Sequence, residues 1–175
     1  MSQSALERLI RVIPDWPIPG VMFQDLTGVF ADPEGLAEIT ADLAKPFAGQ
    51  QIDVVAGMEA RGFIVGATVA QHLGVGFVPL RKPGKLPGAT HSVEYALEYG
   101  TAALHVHHQD VDAGARVLIV DDVLATGGTA KAAIDLIKLC GAEVVGLSFI
   151  LALDFLGAHN LLGDHTIHSL KTISA

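Results

Sequence analysis

A single cysteine, Cys140, occurs in 175 residues. One thiol excludes an internal disulfide and suits a reducing compartment. Set in an apolar helical pattern, it reads as a small buried hydrophobe. Long apolar runs are missing too. The longest, residues 144–153, is broken by Gly146 and Ser148 and halted by Asp154. It is about half of the ~20 residues a membrane helix needs, so a buried strand is expected and no membrane partner. Positive charge is scarce: 11 lysines and arginines face 19 aspartates and glutamates, a net charge of −8. That balance argues against a nucleic-acid partner, which calls for a basic face. Met1-Ser2-Gln3-Ser4 offers neither a basic region nor an apolar stretch, so no signal peptide is expected and the expected location is cytoplasmic. Half of the residues are hydrophobic and mean hydropathy is +0.45; the surplus is expected at a subunit interface.

The length fits one domain spanning 1–175. Strand-like and helix-like segments alternate, which predicts an α/β fold with a mostly parallel central sheet flanked by helices. Leu6, Leu9 and Ile10 predict a short first helix. Residues 14–20 (PDWPIPG) hold too much proline for a helix or a central strand. Asp32 as N-cap, Pro33 at the first helical position and Glu34 in the first turn open a helix that should run to about Lys45. Strands are predicted over 52–56, 76–80, 116–120 and 143–151. Helices are predicted after Gly62 to about His72, ended by Gly74, and over 129–139. Residues 81–92 carry prolines, glycines and basic side chains without periodicity and read as a mobile loop. Residues 93–98 and 101–106 can pair around Tyr99-Gly100 as a hairpin.

The most informative segment is residues 117–129, VLIVDDVLATGGT. An apolar strand delivers Asp121 and Asp122 to its C-terminal end, where open α/β sheets place ligands. Small residues and hydroxyls follow as a helix begins, and the free N–H groups of a helix start favour an anion. Gly127 and Gly128 allow close approach of the backbone to a phosphate, and Thr126 and Thr129 add donors. There is no G-x-x-x-x-G-K-[ST], and Gly74-Val75-Gly76 lacks the third glycine of a dinucleotide fingerprint. Arg61, in a turn before a helix, can give bidentate contacts to phosphate oxygens. The loop at 81–88 places Arg81, Lys82 and Lys85 within five positions, and a mobile charged loop suits an active-site lid.

Residues 117–129 resemble the motif with which type I phosphoribosyltransferases bind phosphoribosyl pyrophosphate (PRPP). Residues 57–63 (GMEARGF) resemble that family's pyrophosphate loop, residues 14–25 its N-terminal hood, and 97–100 (LEYG) the adenine branch. The likeness covers about residues 11–151. It implies a type I phosphoribosyltransferase fold with a hood formed by about 1–32 and a flexible lid. It implies that Ala125, Thr126, Gly127, Gly128 and Thr129 grip the 5′-phosphate while Asp121 and Asp122 face the ribose hydroxyls. Glu59, Ala60, Arg61, Arg81, Lys82 and Lys85 are then the pyrophosphate residues, with a cis peptide at Glu59-Ala60. Met22, Phe23, Gln24 and Val123 would hold adenine, Phe23 and Val123 as a sandwich. Glu98 matches the acid/base position, with Arg61 beside it as the other catalytic residue.

The implied reaction is purine salvage, AMP and pyrophosphate formed from adenine and PRPP. Mg²⁺ is the implied cofactor, held mainly by PRPP and water with no direct protein ligand. A homodimer is implied, with Arg81 reaching the neighbouring site. Two positions depart from the family: Gln24 stands where a basic residue is usual, and Ala158-His159 where Gly-Arg is common. Gln24 keeps open transfer to hypoxanthine, guanine or xanthine, and a non-catalytic PRPP-binding regulator is the other alternative. His105 and His107 share a strand face by alternation, but no nearby cysteine or carboxylate completes a zinc site. Like His108, His165 and His168, they read as surface residues.

Overall fold

A computed structural model describes residues 4–96 and 100–174. The chain opens with α1 (Ala5–Leu9), whose Ser4 side chain and Glu7 form a reciprocal capping box. Strands β1 (Arg11–Ile13) and β2 (Phe23–Asp25) pair as an antiparallel hairpin across the proline-rich stretch. Helices α2 (Thr27–Ala31) and α3 (Pro33–Ala44) follow. As expected, the Asp32 side chain caps α3 by accepting the Gly35 N–H at 2.7 Å, with Pro33 at the first helical position.

Strand β3 (Val54–Met58), helix α4 (Arg61–Leu73) and strand β4 (Gly76–Leu80) form the first parallel crossover. Gly74 ends α4 at φ 71°, a left-handed conformation that glycine adopts without steric cost. The antiparallel pair β5 (Thr90–Ala96) and β6 (Thr101–His107) stands apart from the main sheet. Then come β7 (Arg116–Leu124), α5 (Gly128–Leu139), β8 (Glu143–Leu153), α6 (Ala158–Leu162) and β9 (Ile167–Ile173). The central sheet has the order β4-β3-β7-β8-β9 and every pairing in it is parallel.

Helices cover both faces, so the inner strands are apolar on both sides. Along β7, Val117 and Ile119 join the core beneath α5, whereas Leu118 and Val120 join the one beneath α3 and α4. The only polar interruption in the middle of β8, Ser148, is fully buried and donates its hydroxyl to the Leu43 carbonyl at 2.9 Å.

Four expectations need correction. Strand β7 runs through Asp121 and Asp122 to Leu124 instead of ending at Val120, because β8 continues to pair with it. The segment 81–92 is not all loop: Thr90, His91 and Ser92 already pair with β6, and Arg81 bridges to His105. Cys140 is the C-cap of α5 and only partly buried. His168 is not a simple surface residue, since its Nε2 is buried without a hydrogen-bond partner.

Candidate active site

Parallel topology sends the C-terminal ends of β3, β7 and β8 to one edge of the sheet, where a cleft of about 640 Å³ opens. Its floor is the end of β7, with Asp121, Asp122 and Val123. One wall is the β3–α4 turn with Glu59, Ala60 and Arg61, and another is the β2 hairpin strand with Met22, Phe23 and Gln24. Tyr95 enters from β5.

At one end a smaller cavity of about 80 Å³ is lined by Ala125, Thr126, Gly127 and Thr129. Gly127, at φ 87°, turns the chain into α5, and no side chain caps that helix start. Its first N–H groups therefore point where an anion is favoured. A side chain at Gly127 would be strained by the positive φ and crowded, since a Cβ there would lie 3.1 Å from the Cβ of Ala158. Gly128 lies under Tyr95: a Cβ would stand 3.7 Å from its ring.

The two carboxylates differ. Asp122 is 5% exposed and forms an ion pair with Nε of Arg61, 61 positions away in sequence. Asp121 accepts the Asp122 N–H at 2.9 Å. Burial, reinforced by the adjacent Asp122 charge, pushes the Asp121 carboxyl well above the usual carboxylate range. Gly62 makes space for it, because a Cβ at that position would meet Asp121 Oδ1 at 2.6 Å.

The basic loop is organised by an acid. Glu59 accepts the Lys82 N–H at 3.0 Å and Arg81 Nε at 3.2 Å, and these bonds hold its carboxyl below the ordinary glutamate range. Arg81 also donates to the Lys85 carbonyl at 3.2 Å and stands over the Phe63 ring at 5.8 Å. A carboxylate cannot donate to an anion, so Glu59 acts on this end by positioning Arg81 and Lys82. Lys82 lines the cleft, whereas Arg81 and Lys85 are not among its lining residues. The Glu59-Ala60 peptide is cis.

Phe23 and Val123 both line the cleft, and Gln24 donates Nε2 to the Met22 carbonyl at 3.2 Å. Glu98 lies outside the described residues. Sequence reasoning missed Tyr95, Leu151 and Leu153 as cleft residues; alternation along β5 and β8 was the available signal. His105 pairs with Thr90 at 3.2 Å, and the rings of His91 and His108 lie 4.0 Å apart.

This geometry has counterparts among known proteins. The Phosphoribosyl transferase domain family matches residues 29–154. An adenine phosphoribosyltransferase of Thermobifida fusca is 53% identical over 168 residues, 96% of each chain. The structure of the adenine phosphoribosyltransferase of Thermoanaerobacter pseudethanolicus superposes with a TM-score of 0.92 at 46% identity, covering 96% of this chain and 98% of the other. That of Saccharomyces cerevisiae, solved with adenine and an imino-altritol bisphosphate, gives 0.88 at 36% identity, covering 94% and 96%. With its five-stranded parallel sheet, its phosphate-type turn after β7 and likeness along nearly its whole length, this chain belongs to the adenine phosphoribosyltransferase family and has the type I phosphoribosyltransferase fold.

Proposed function

We propose that this chain is an enzyme of purine salvage that transfers the 5-phosphoribosyl group of PRPP to adenine, giving AMP and pyrophosphate. The observation that carries the reading is a single cleft in which an uncapped helix start, a buried Asp122 paired with a half-exposed Arg61, and an aromatic hairpin wall converge. The 5′-phosphate sits at residues 125–129, where N–H groups and the Thr126 and Thr129 hydroxyls donate to it. Asp121 and Asp122 accept from the ribose hydroxyls. Arg61 uses Nε on Asp122, which leaves its terminal nitrogens for the pyrophosphate, together with Lys82, Arg81 and Lys85.

The C1–O bond to pyrophosphate breaks as N9 of adenine bonds to C1, and the electron pair leaves on pyrophosphate. The positive charge that develops on the sugar, by analogy with glycosyl transfer, lies near the Asp122 carboxylate. The N9 proton passes to Glu98. Phe23 and Val123 sandwich the base, and backbone groups at Met22 read its edge, the carbonyl being held by Gln24. Mg²⁺, held mainly by PRPP and water without a direct protein ligand, would screen the leaving charge when bound. The 1–32 segment serves as hood on a single 1–175 domain. We also assign the chain a homodimeric state and a cytoplasmic location; exposed apolar side chains such as Ile64 and Leu139 are consistent with a covered surface.

The test is a base screen with purified protein, PRPP and Mg²⁺. Nucleotide from adenine, with hypoxanthine, guanine and xanthine far slower, supports the reading. Preference for another purine moves the specificity to that base, and PRPP binding without turnover of any base favours a regulator.

A further inference from the structure

The hydroxyl of Tyr95 faces Thr129, with 3.5 Å between Tyr95 Oη and Thr129 Oγ1. Tyr95 lines the same cleft as Arg61, Asp121 and Thr129. Its ring rests on the turn that begins α5, and the next residue of β5 lies over the same point, since a Cβ at Gly128 would be in ordinary contact with the Ala96 carbonyl oxygen at 3.5 Å.

We infer that Tyr95 is a substrate-binding residue of the 5′-phosphate site, donating its phenolic hydroxyl to the same phosphoryl group that Thr129 holds. This rests on the proposed reading of residues 125–129. At 3.5 Å the bond between the two hydroxyls is at the limit of a hydrogen bond. Two donors at that separation can both reach one anionic oxygen at about 2.7 Å each, the usual length for a hydroxyl on a charged acceptor. The loop's other donors come from the β7–α5 turn itself, whereas Tyr95 comes from a separate hairpin. The phosphate therefore joins the arm to the turn, and the arm continues directly into the segment that carries Glu98.

The test is Tyr95→Phe, which removes one oxygen and keeps the ring packing. Ribose 5-phosphate and AMP should bind about tenfold more weakly, the order expected of one hydrogen bond to a charged group, while adenosine binds as to the unaltered chain. KM for PRPP should rise by a similar factor with KM for adenine and the melting temperature unchanged. Unaltered affinity for ribose 5-phosphate overturns the assignment. Equal weakening of AMP and adenosine overturns it as well, because that is the signature of a packing role alone. If the unaltered chain binds ribose 5-phosphate but turns over no base, the catalytic reading fails while the role of Tyr95 is still decided by the binding arm.

Discussion

Replacing Gly62 by alanine sets two effects of known size against each other. Gly62 is the second residue of α4, and alanine there gains about 0.8–1.0 kcal/mol of helix propensity. The added methyl, however, would stand 2.6 Å from Asp121 Oδ1 and 3.2 Å from the Val120 carbonyl oxygen. Ordinary carbon contacts begin near 3.5 Å, so the carboxylate must retreat by roughly 0.9 Å, or α4 must tilt off β7. Overpacking of this kind costs about 1–3 kcal/mol, which outweighs the propensity gain. The net loss should be about 0–2 kcal/mol, a small fall in melting temperature. Function should suffer more. Asp121 is fixed against Asp122, which in turn holds Arg61, and a displacement of ~1 Å at a positioned group can cost on the order of 10²-fold. We expect Gly62→Ala to retain its fold by circular dichroism and to lose ten- to a hundredfold in kcat/KM for PRPP. Activity within twofold of the unaltered chain would refute the claim that this glycine exists to seat Asp121.

Three further outcomes are expected. Asp121 is raised in the folded chain, so the native state binds its proton more tightly than the unfolded state and stability falls as pH rises above about 4 toward the folded pKa. Asp121→Asn should therefore melt higher than the unaltered chain at pH 8, with the gap closing near pH 4; a gap independent of pH contradicts the burial argument. Ala158 is 2% exposed against Gly127, so Ala158→Val should destabilise by about 1–3 kcal/mol and weaken ribose 5-phosphate binding, and unchanged binding would separate α6 from the phosphate turn. Glu98→Ala should lower kcat by about 10²–10⁴-fold with PRPP binding intact; unchanged turnover removes Glu98 from the mechanism.

What the sequence made legible was local. The turn at 125–129 could be read because its strand, carboxylates, glycines and helix start are contiguous, and each carries its own backbone chemistry. Asp32-Pro33 and Gly74 were legible for the same reason. The Arg61–Asp122 pair was not, since it joins residues from two different crossovers and nothing in either segment names its partner. Glu59 looked like one more member of an anion site, and only the fold reveals that it holds Arg81 and Lys82. The β1–β2 hairpin escaped because three-residue strands on either side of a proline-rich turn give too few alternations to read. Strand β9 escaped because an edge position leaves nearly all its residues half-buried, which blurs the period-two pattern. The two aspartates looked like a turn because carboxylates are uncommon inside a strand, yet β8 pairing carries β7 past them.

The most direct test of the account is a crystal structure of the protein with AMP. The account expects the phosphate within hydrogen-bond distance of the N–H groups of residues 125–129 and of Thr129. It expects the ribose hydroxyls on Asp121 and Asp122, and the adenine ring between Phe23 and Val123. A phosphate seated instead on Arg61 and Lys82, or a base lodged away from the β2 hairpin, would contradict it.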